Sequence, residues 1–126
     1  MNSSIFDMLG PIMVGPSSSH TAGAVRLGLM ARKILGTDIE KARILLHGSF
    51  AETGKGHGTH LALIAGLLEM LPDDERIRFA DKIALQQGME VQFENAYLGE
   101  VHPNSVEFIL TGANGDQARV RGCSIG

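Results

Sequence analysis

The segment Gly58 to Met70 constrains the fold of this chain more than any other part of the sequence. Its large apolar side chains lie on nearly every side of a helical projection: Leu61, Leu63, Ile64, Leu67 and Leu68. A helix that is apolar almost all round is stable in water only when other elements surround it. We therefore predict a central helix over residues 58–70, covered by the rest of a chain that is 44% hydrophobic.

Two further helices are predicted around this central one. From Ser19 to Gly36, apolar residues recur at helical spacing with basic residues on the opposite face, and Gly36 is a typical C-terminal stop. The sequence Pro72-Asp73-Asp74 ends the central helix and opens a third, more exposed helix that runs to about Gln87. Gly88 is the expected stop of this third helix.

The remaining segments carry the patterns of strands. Residues 42–46 form a short apolar run with little alternation, which predicts a strand covered on both faces. Three segments alternate apolar and polar residues and predict half-buried strands: Met89 to Phe93, Val106 to Leu110, and Ala118 to Val120. Asn114-Gly115 is a strong hairpin signal, because both residues tolerate positive φ. The expected fold class is α+β, a two-layer sandwich of two to three helices on a mixed, mostly antiparallel sheet of about four strands.

Length and charge narrow the classes of function. A chain of 126 residues suits one domain, here residues 1–126. The net charge of −3, with basic and acidic residues interspersed, offers no basic stripe for nucleic acid and no polybasic segment for a membrane surface. No run approaches the roughly 20 apolar residues of a membrane span, and the N-terminus lacks signal-peptide order, so a cytoplasmic location is expected.

The stretch Gly15 to Gly23 places three hydroxyls and an imidazole just before a predicted helix. A helix start carries unpaired N–H groups and a partial positive charge, so this segment is suited to a small anionic ligand. The alternative is that one serine caps the helix and the others are exposed. A hydrolase-type serine and histidine pair is disfavoured, because adjacent residues that enter a helix do not face each other.

A second glycine-rich loop runs from Gly48 to Gly58. It has the wrong spacing for a Walker A loop and for a dinucleotide-binding fingerprint, which argues against a nucleotide site. What remains is Lys55 and His57 beside the start of a helix, a cation and a titratable imidazole that would serve a carboxylate ligand. The alternative is a plain strand-to-helix connection in which the glycines make turns and Lys55 is solvated.

The other polar candidates carry weaker signals. His47, at a strand end, is expected to be structural, and His60 is weak evidence for a metal without a third ligand. His102-Pro103-Asn104 is typical of a turn before a strand, with any functional role secondary. Cys123 is expected to be a buried inert thiol, and one thiolate cannot by itself hold a zinc ion or an iron–sulfur cluster.

Taken together, these motifs resemble the beta chain, or N-terminal beta domain, of bacterial iron–sulfur L-serine dehydratases. The resemblance runs nearly end to end, on Phe6-Asp7, Gly15 to Gly23, Gly48 to Thr59, His102-Pro103-Asn104 and Ser124-Ile125-Gly126. His60 departs from the pattern, since the family usually has an aspartate there that could orient His57. The family's sequences also normally continue beyond Gly126, so a C-terminal continuation is expected to be missing.

The resemblance implies the conversion of L-serine to pyruvate and ammonia through loss of the α-proton and the β-hydroxyl. It also implies a [4Fe-4S] cluster that acts as a Lewis acid and is ligated by cysteines of a partner alpha chain or domain, with no metal ligand on this chain. The catalytic residues are expected to be His57, as base, and Lys55, through its charge. A homo-oligomer is expected. The expected substrate-binding residues are Ser17, Ser18, Ser19, His20, Thr21, Gly56, Gly58, Thr59, His102 and Asn104.

Two other functions stay open at this point. The domain also resembles the allosteric substrate-binding domain of some 3-phosphoglycerate dehydrogenases, where it senses a small anion such as serine or phosphate and catalyses nothing. Lys55 and the serine-rich segment would serve that role equally well. A purely structural or dimerising domain is the third possibility, and it predicts that both loops tolerate substitution.

Overall fold

The structure is a computed structural model of the chain and describes residues 5–7, 12–14, 20–48 and 57–124. Within these ranges the α-helices are α1 (His20–Leu35), α2 (His57–Leu67) and α3 (Ala80–Gln86), and a 3₁₀-helix (Glu75–Phe79) leads into α3. The strands are β1 (Ile5–Asp7), β2 (Ile12–Val14), β3 (Ile39–Leu46), β4 (Glu90–Asn95), β5 (Ser105–Gly112) and β6 (Gln117–Ser124). No helix in these ranges is long and apolar enough to cross a membrane.

The six strands form one mixed sheet in the order β1-β6-β5-β3-β4, with β2 also paired to β6. β5 is antiparallel to both of its neighbours, β3 and β6, whereas β1 and β2 run parallel to β6, and β4 runs parallel to β3. The predicted α+β class and the four longer strands are confirmed. The two three-residue strands, β1 and β2, were not predicted, because each is too short to show a period.

Strand direction gives the sheet two different ends. β2, β3, β4 and β6 all finish at one end, where β5 begins, and we call this the carboxyl end of the sheet. At the opposite end the turn between α1 and β3 is tied to the β5–β6 hairpin, since the Ala113 N–H donates to the Asp38 carbonyl at 2.8 Å. Helix α1 therefore runs away from the carboxyl end and finishes at the far end.

The helices cover one face of the sheet. Ile44, Phe108 and Val120 are in register on adjacent strands and face the helices with 0–1% exposure. Every residue of α2 from position 62 to 67 is buried, which confirms the predicted central helix. A helix with this composition has no polar face to turn toward water, so the sheet, α1 and α3 must enclose it.

The prediction that residues 42–46 form a strand covered on both faces is wrong. β3 begins earlier, at Ile39, and only its helix-facing side is consistently buried. On the other side Arg43 is exposed, and its guanidinium donates to both carboxylate oxygens of Glu94 on β4. The run shows little alternation because the apolar Leu45 lies on this second face, where it is half-buried.

The helix boundaries follow the predicted stops with one difference. Gly36 and Gly88 take the left-handed conformation that ends α1 and α3, with φ of +82° and +81°. α2 ends at Leu67 rather than at Met70, because Glu69 also has a positive φ and the Met70 N–H donates back to the Ala65 carbonyl at 2.9 Å.

The hairpin at Asn114-Gly115 is confirmed, but its loop is longer than two residues. The Gly112 N–H donates to the Asp116 carbonyl at 2.7 Å, so the loop comprises residues 113–115. Only Gly115 has a positive φ, +92°, whereas Asn114 accepts the Asp116 N–H through its side chain. This loop length decides which residues of β5 and β6 face each other.

Two glycines allow α1 and α2 to touch through their backbones. A Cβ built on Gly28 would lie 2.5 Å from the Leu63 carbonyl oxygen, and one built on Gly66 would overlap the Val25 carbonyl oxygen and lie 2.8 Å from Gly28 Cα. Real Cβ atoms do not approach backbone atoms so closely. The two helices must separate if either glycine gains a side chain.

We predict that Gly66→Ala destabilises the chain by about 3 kcal/mol, the upper range for overpacking of a closed interior, because the clash is with backbone rather than with a flexible side chain. Urea unfolding followed by far-UV circular dichroism measures this change. Gly58→Ala, in the first turn of the same helix with open space around it, is the matched control and should change stability by less than about 1 kcal/mol. Equal unfolding midpoints for both variants and the parent chain would show that the helices are not in backbone contact.

The 3₁₀-helix is capped by Asp74. Its carboxylate accepts the Arg76 backbone N–H at 2.8 Å and the Arg76 guanidinium at 3.0 and 2.8 Å. The guanidinium bonds first, and the backbone bond second, lower the pKa of Asp74 from its ordinary 3.8 to about 2. The ionised cap therefore stabilises this turn above about pH 4 and is lost as the pH falls through about 2.

We expect an NMR titration of the Asp74 carboxyl carbon to show a midpoint near pH 2. In Arg76→Gln the midpoint should rise toward 3.8, because the larger cause of the shift is removed, while the backbone bond holds it below that value. A parent midpoint for Asp74 close to 3.8 would mean that the Arg76 contact does not persist in solution.

Candidate functional site

The carboxyl end of the sheet is where the strands that precede the two predicted site loops finish. β2 finishes at Val14, opposite Ser124 of β6, and the serine-rich segment follows it. β3 finishes at Leu46, opposite Val106 and Asn95, and the glycine-rich loop follows it. Because both loops leave from the same end of one sheet, they lead into helices that start on the same side of the molecule.

Several predicted site residues lie outside the described residues. They are Ser17, Ser18 and Ser19 of the first loop and Lys55 and Gly56 of the second. His20 and His57 are described as the first residues of α1 and α2. The structure thus places both helix starts at the carboxyl end, which agrees with the expectation that each loop enters a helix.

The first turns of the two helices present small polar groups. Thr21 and Thr59 are half-buried, and Gly58 is exposed. The first N–H groups of a helix have no partner within the helix and carry its partial positive charge. Two such starts at one end of the sheet favour a ligand with a carboxylate or another small anionic group.

His102 lies in a turn that is held by its own hydrogen bonds. Its Nδ1 accepts the Asn104 backbone N–H at 3.0 Å, and its carbonyl accepts the Ser105 hydroxyl at 2.6 Å. Because Nδ1 accepts a bond, the proton of the neutral ring is on Nε2. The exposed His102 ring therefore offers a hydrogen-bond donor to a ligand and is not set up as a base.

Asn104 is joined to the end of β6 and carries an unmatched acceptor. The Ser124 N–H donates to its carbonyl at 3.1 Å. Its side-chain Oδ1 is buried and accepts no hydrogen bond within the described part of the chain. Buried acceptors normally have a donor, and one without a donor calls for a functional explanation. An ammonium group of a ligand is the kind of donor that Oδ1 lacks.

The turn that carries His102 and Asn104 also packs on the exit of β3. Gly48 has a φ of +56°, and a Cβ on it would lie 2.8 Å from the Pro103 carbonyl oxygen. Only glycine allows this close approach in this conformation. The glycine-rich loop therefore begins in direct contact with the 102–104 turn, which brings two of the predicted motifs together.

His47, expected to be structural, is buried at the end of β3. Its Nδ1 accepts the Leu98 backbone N–H at 2.9 Å, and its ring lies 5.5 Å from the Tyr97 ring, centroid to centroid. The His47 N–H donates to the Ser105 carbonyl at 3.1 Å. Its contacts are with the segment that connects β4 to β5, which agrees with a structural role.

His60 faces β4. Its ring stacks on Phe93 with centroids 4.0 Å apart and an angle of 8° between the planes. Both rings line a cleft of about 420 Å³ between α2, α3 and β4, which is mainly apolar and has the carboxylates Asp81 and Glu90 in its wall. The stacking anchors the first turn of α2 on the sheet.

The described residues contain no group of three or more His, Cys, Asp or Glu side chains that could hold a metal ion. Cys123 is 5% exposed, and burial raises the pKa of its thiol above the ordinary 9.0. It is therefore a protonated thiol at neutral pH, which is a poor metal ligand and a poor nucleophile.

Sequence reasoning missed one cluster near this site. Glu107 is 7% exposed although it lies on the face of the sheet without helices, and it pairs with Arg121 directly across from it. The alternation of charged and apolar residues in both strands was visible in the sequence. The pairing was not, because it depends on the three-residue hairpin loop.

Comparison with known proteins agrees with the resemblance seen in the motifs. Residues 4–126 match the family model described as serine dehydratase beta chain. The L-serine dehydratase beta chain of Peptoniphilus asaccharolyticus is 47% identical over 124 residues, which cover 98% of this chain and 56% of that protein. The probable L-serine dehydratase beta chain of Bacillus subtilis (strain 168) is 46% identical over 123 residues, with the same coverage.

L-serine dehydratase 2 of Escherichia coli (strain K12) is 43% identical over 76 residues, 56% of this chain and 16% of that protein. The chain thus spans about half the length of the beta chains that it matches and a small part of the longer enzyme. A family match over nearly all residues, joined to near-half identity across 98% of the chain, shows that this chain belongs to the serine dehydratase beta chain family.

Proposed function

We propose that this chain is the beta portion of an L-serine dehydratase and that it acts with an alpha chain or domain to convert L-serine to pyruvate and ammonia. The observation that carries the proposal is the convergence at the carboxyl end of the sheet. Two helix starts and the 102–104 turn lie at that end, and the turn holds a buried acceptor that has no donor among the described residues. Family membership and the names of the relatives support the same reaction.

The carboxylate of L-serine is matched by the two helix starts. The first N–H groups of α1 and α2 have no carbonyl partner within their own helix, and the partial positive charge of each helix start favours an anion there. Lys55, which precedes α2 in the sequence, would add a full positive charge. Ser17, Ser18 and Ser19, which precede α1 in the sequence, and Thr21 in its first turn would add hydroxyl donors.

The ammonium group of L-serine is matched by Asn104. Its buried Oδ1 accepts no hydrogen bond from the part of the chain that the structure describes, and an ammonium brings three donors. His102, with its Nδ1 already occupied by the Asn104 N–H, donates from Nε2 to a substrate oxygen. In this assignment the turn orients the amino acid and takes no proton from it.

His57 is then the residue proposed to take the α-proton. It is the first residue of α2, the helix start that we assign to the substrate carboxylate, and an imidazole at this position is a suitable general base for the α-proton. Loss of this proton and of the β-hydroxyl gives aminoacrylate, which tautomerises to an imine. Water then hydrolyses the imine to pyruvate and ammonia.

The hydroxyl group must leave with the help of an acid. A [4Fe-4S] cluster, the cofactor implied by the family resemblance, would act there as a Lewis acid. The single cysteine of this chain, buried and protonated, does not fit such a cluster. We propose that cysteines of the alpha chain or domain ligate it, and we assign no step to a cluster on this chain.

We predict that the full-length beta chain, co-expressed anaerobically with a cysteine-bearing alpha chain, forms pyruvate from L-serine. His57→Ala should lower kcat by about 10² to 10⁴, the usual contribution of a general base. Asn104→Ala should raise KM about tenfold or more, because it removes a hydrogen bond to a charged group. A coupled pyruvate assay on the purified, cluster-loaded assembly measures both.

Asn114→Ala is the matched control for Asn104→Ala. Asn114 is an exposed asparagine in the β5–β6 hairpin, at the opposite end of the sheet, so the kinetics should not change. Full turnover in His57→Ala would remove His57 as the base. A cluster-loaded assembly that makes no pyruvate from L-serine would instead favour the anion-sensing function.

A further inference from the structure

We infer that Arg121 and His47 together position the 102–104 turn, by holding residue Leu98 of the irregular segment between β4 and β5 from both sides. The segment comprises residues 96–104 and is called here the 96–104 connection. It has no helix or strand of its own, so its place depends on bonds to the sheet. The inference deepens the proposed function, because this connection carries His102 and Asn104.

The first part of the device is a carboxylate on the sheet face that lacks helices. Glu107 accepts two bonds from Arg121, from Nε at 3.1 Å and from Nη2 at 2.7 Å, and both reach the same oxygen, Oε1. The pair lies directly across β5 and β6 in the hairpin register. Glu107 thereby fixes the plane of the Arg121 guanidinium.

The second part is a further hydrogen bond from the same guanidinium to the backbone of the connection. Arg121 Nη1 donates to the Leu98 carbonyl at 3.0 Å, so one planar group joins the carboxylate to the backbone of the connection. A lysine ammonium is a point charge and cannot span both partners in fixed directions. Arginine is therefore the residue type that this geometry requires.

The third part is His47, the residue that directly follows β3. Its Nδ1 accepts the N–H of the same Leu98 at 2.9 Å, and beside it the Ala96 N–H donates to the Leu46 carbonyl at 2.8 Å. Leu98 is thus held by its N–H on one side and by its carbonyl on the other. The two peptide units that flank Leu98 are therefore fixed from the ends of β3 and from β6, two strands that are not neighbours.

The position of Leu98 constrains the position of the 102–104 turn, because only a short length of chain separates them. His102 is four residues further on, and the connection is tied again at its far end, where the Ser105 hydroxyl donates to the His102 carbonyl at 2.6 Å. The connection is therefore a short span clamped at both ends. Release of the Leu98 clamp would let the His102 ring and the Asn104 side chain move relative to the helix starts.

The test uses Arg121→Lys, with amide hydrogen exchange of the 126-residue chain and kinetics of the assembled enzyme as readouts. Arg121→Lys keeps the charge beside Glu107 but loses the Leu98 carbonyl bond. We expect the amides of residues 96–104 to exchange about ten- to hundredfold faster, with the rest of the sheet unchanged. In the assembly kcat/KM should fall by a similar factor, mainly through KM, because the turn binds substrate.

Arg119→Lys is the matched control. Arg119 lies on the same strand and face, with its Nε 3.8 Å from Glu107 Oε2, and its side chain is 58% exposed. Among the described contacts it reaches the carboxylate and not the connection. Exchange in residues 96–104 and the kinetics should both match those of the parent chain.

A pair of variants tests His47 separately. His47→Asn keeps an acceptor oxygen near the place of Nδ1 and should retain slow exchange at Leu98, whereas His47→Phe keeps a ring without an acceptor and should lose it. A higher kcat/KM in His47→Asn than in His47→Phe would show that the hydrogen bond to the Leu98 N–H matters, and not only the volume of the side chain. Equal exchange at Leu98 in the two variants would overturn the role of His47.

Unchanged exchange of residues 96–104 in Arg121→Lys would overturn the inference. Faster exchange there with unchanged kcat/KM would also overturn it, since the connection would then not position the site. The proposed function fails by a different result, a parent assembly that makes no pyruvate from L-serine. In that case the exchange of Leu98 in the chain alone still decides whether Arg121 and His47 hold the connection.

Discussion

The contact between Gly28 and Gly66 is the constraint on which the arrangement of this chain depends. Because neither residue has a side chain, the backbones of α1 and α2 touch, and both helices fit on one face of a sheet with four long strands. A wider separation would leave the apolar circumference of α2 partly uncovered, at a cost of about 25 cal/mol for each Å² of apolar surface exposed. The core and the position of both helix starts follow from this one close approach.

Strand direction then places the polar groups. β2, β3, β4 and β6 all finish at the carboxyl end, so the segments after β2 and β3 leave the sheet on the same side and lead into helices that start there. The connection from β4 to β5 turns back over that end and brings the 102–104 turn against Gly48. The directions of the strands are therefore enough to bring these segments to one end of the sheet, where a binding site can form.

The two faces of the sheet carry different kinds of side chain. The face under the helices carries the core, whereas the face without helices carries charged side chains that pair across strands, as Arg43 does with Glu94 and Arg121 with Glu107. Exposed pairs such as the first contribute little to stability. In the second pair only Glu107 is buried, and the Arg121 guanidinium also binds the backbone of the 96–104 connection.

The sequence by itself determined the elements of this protein. The apolar circumference of residues 58–70, the glycine stops at positions 36 and 88 and the alternation in the later strands each follow from local physics, and each was confirmed. The motifs that resemble serine dehydratase beta chains were also readable, and they led to the family. Local patterns succeed here because a residue's period and conformational limits do not depend on distant partners.

Tertiary structure alone decided which residues face each other. A two-residue turn at Asn114-Gly115 would have set Glu107 opposite Gly122, whereas the observed three-residue loop sets it opposite Arg121. Three other features could likewise not be predicted from the sequence. They are the exposed second face of β3, the stacking of His60 on Phe93, and the Asn104 Oδ1 that has no donor among the described residues. Each depends on the register and packing of segments that are far apart in the chain. Local sequence patterns do not specify these, because they are fixed only when the segments pair in the folded protein.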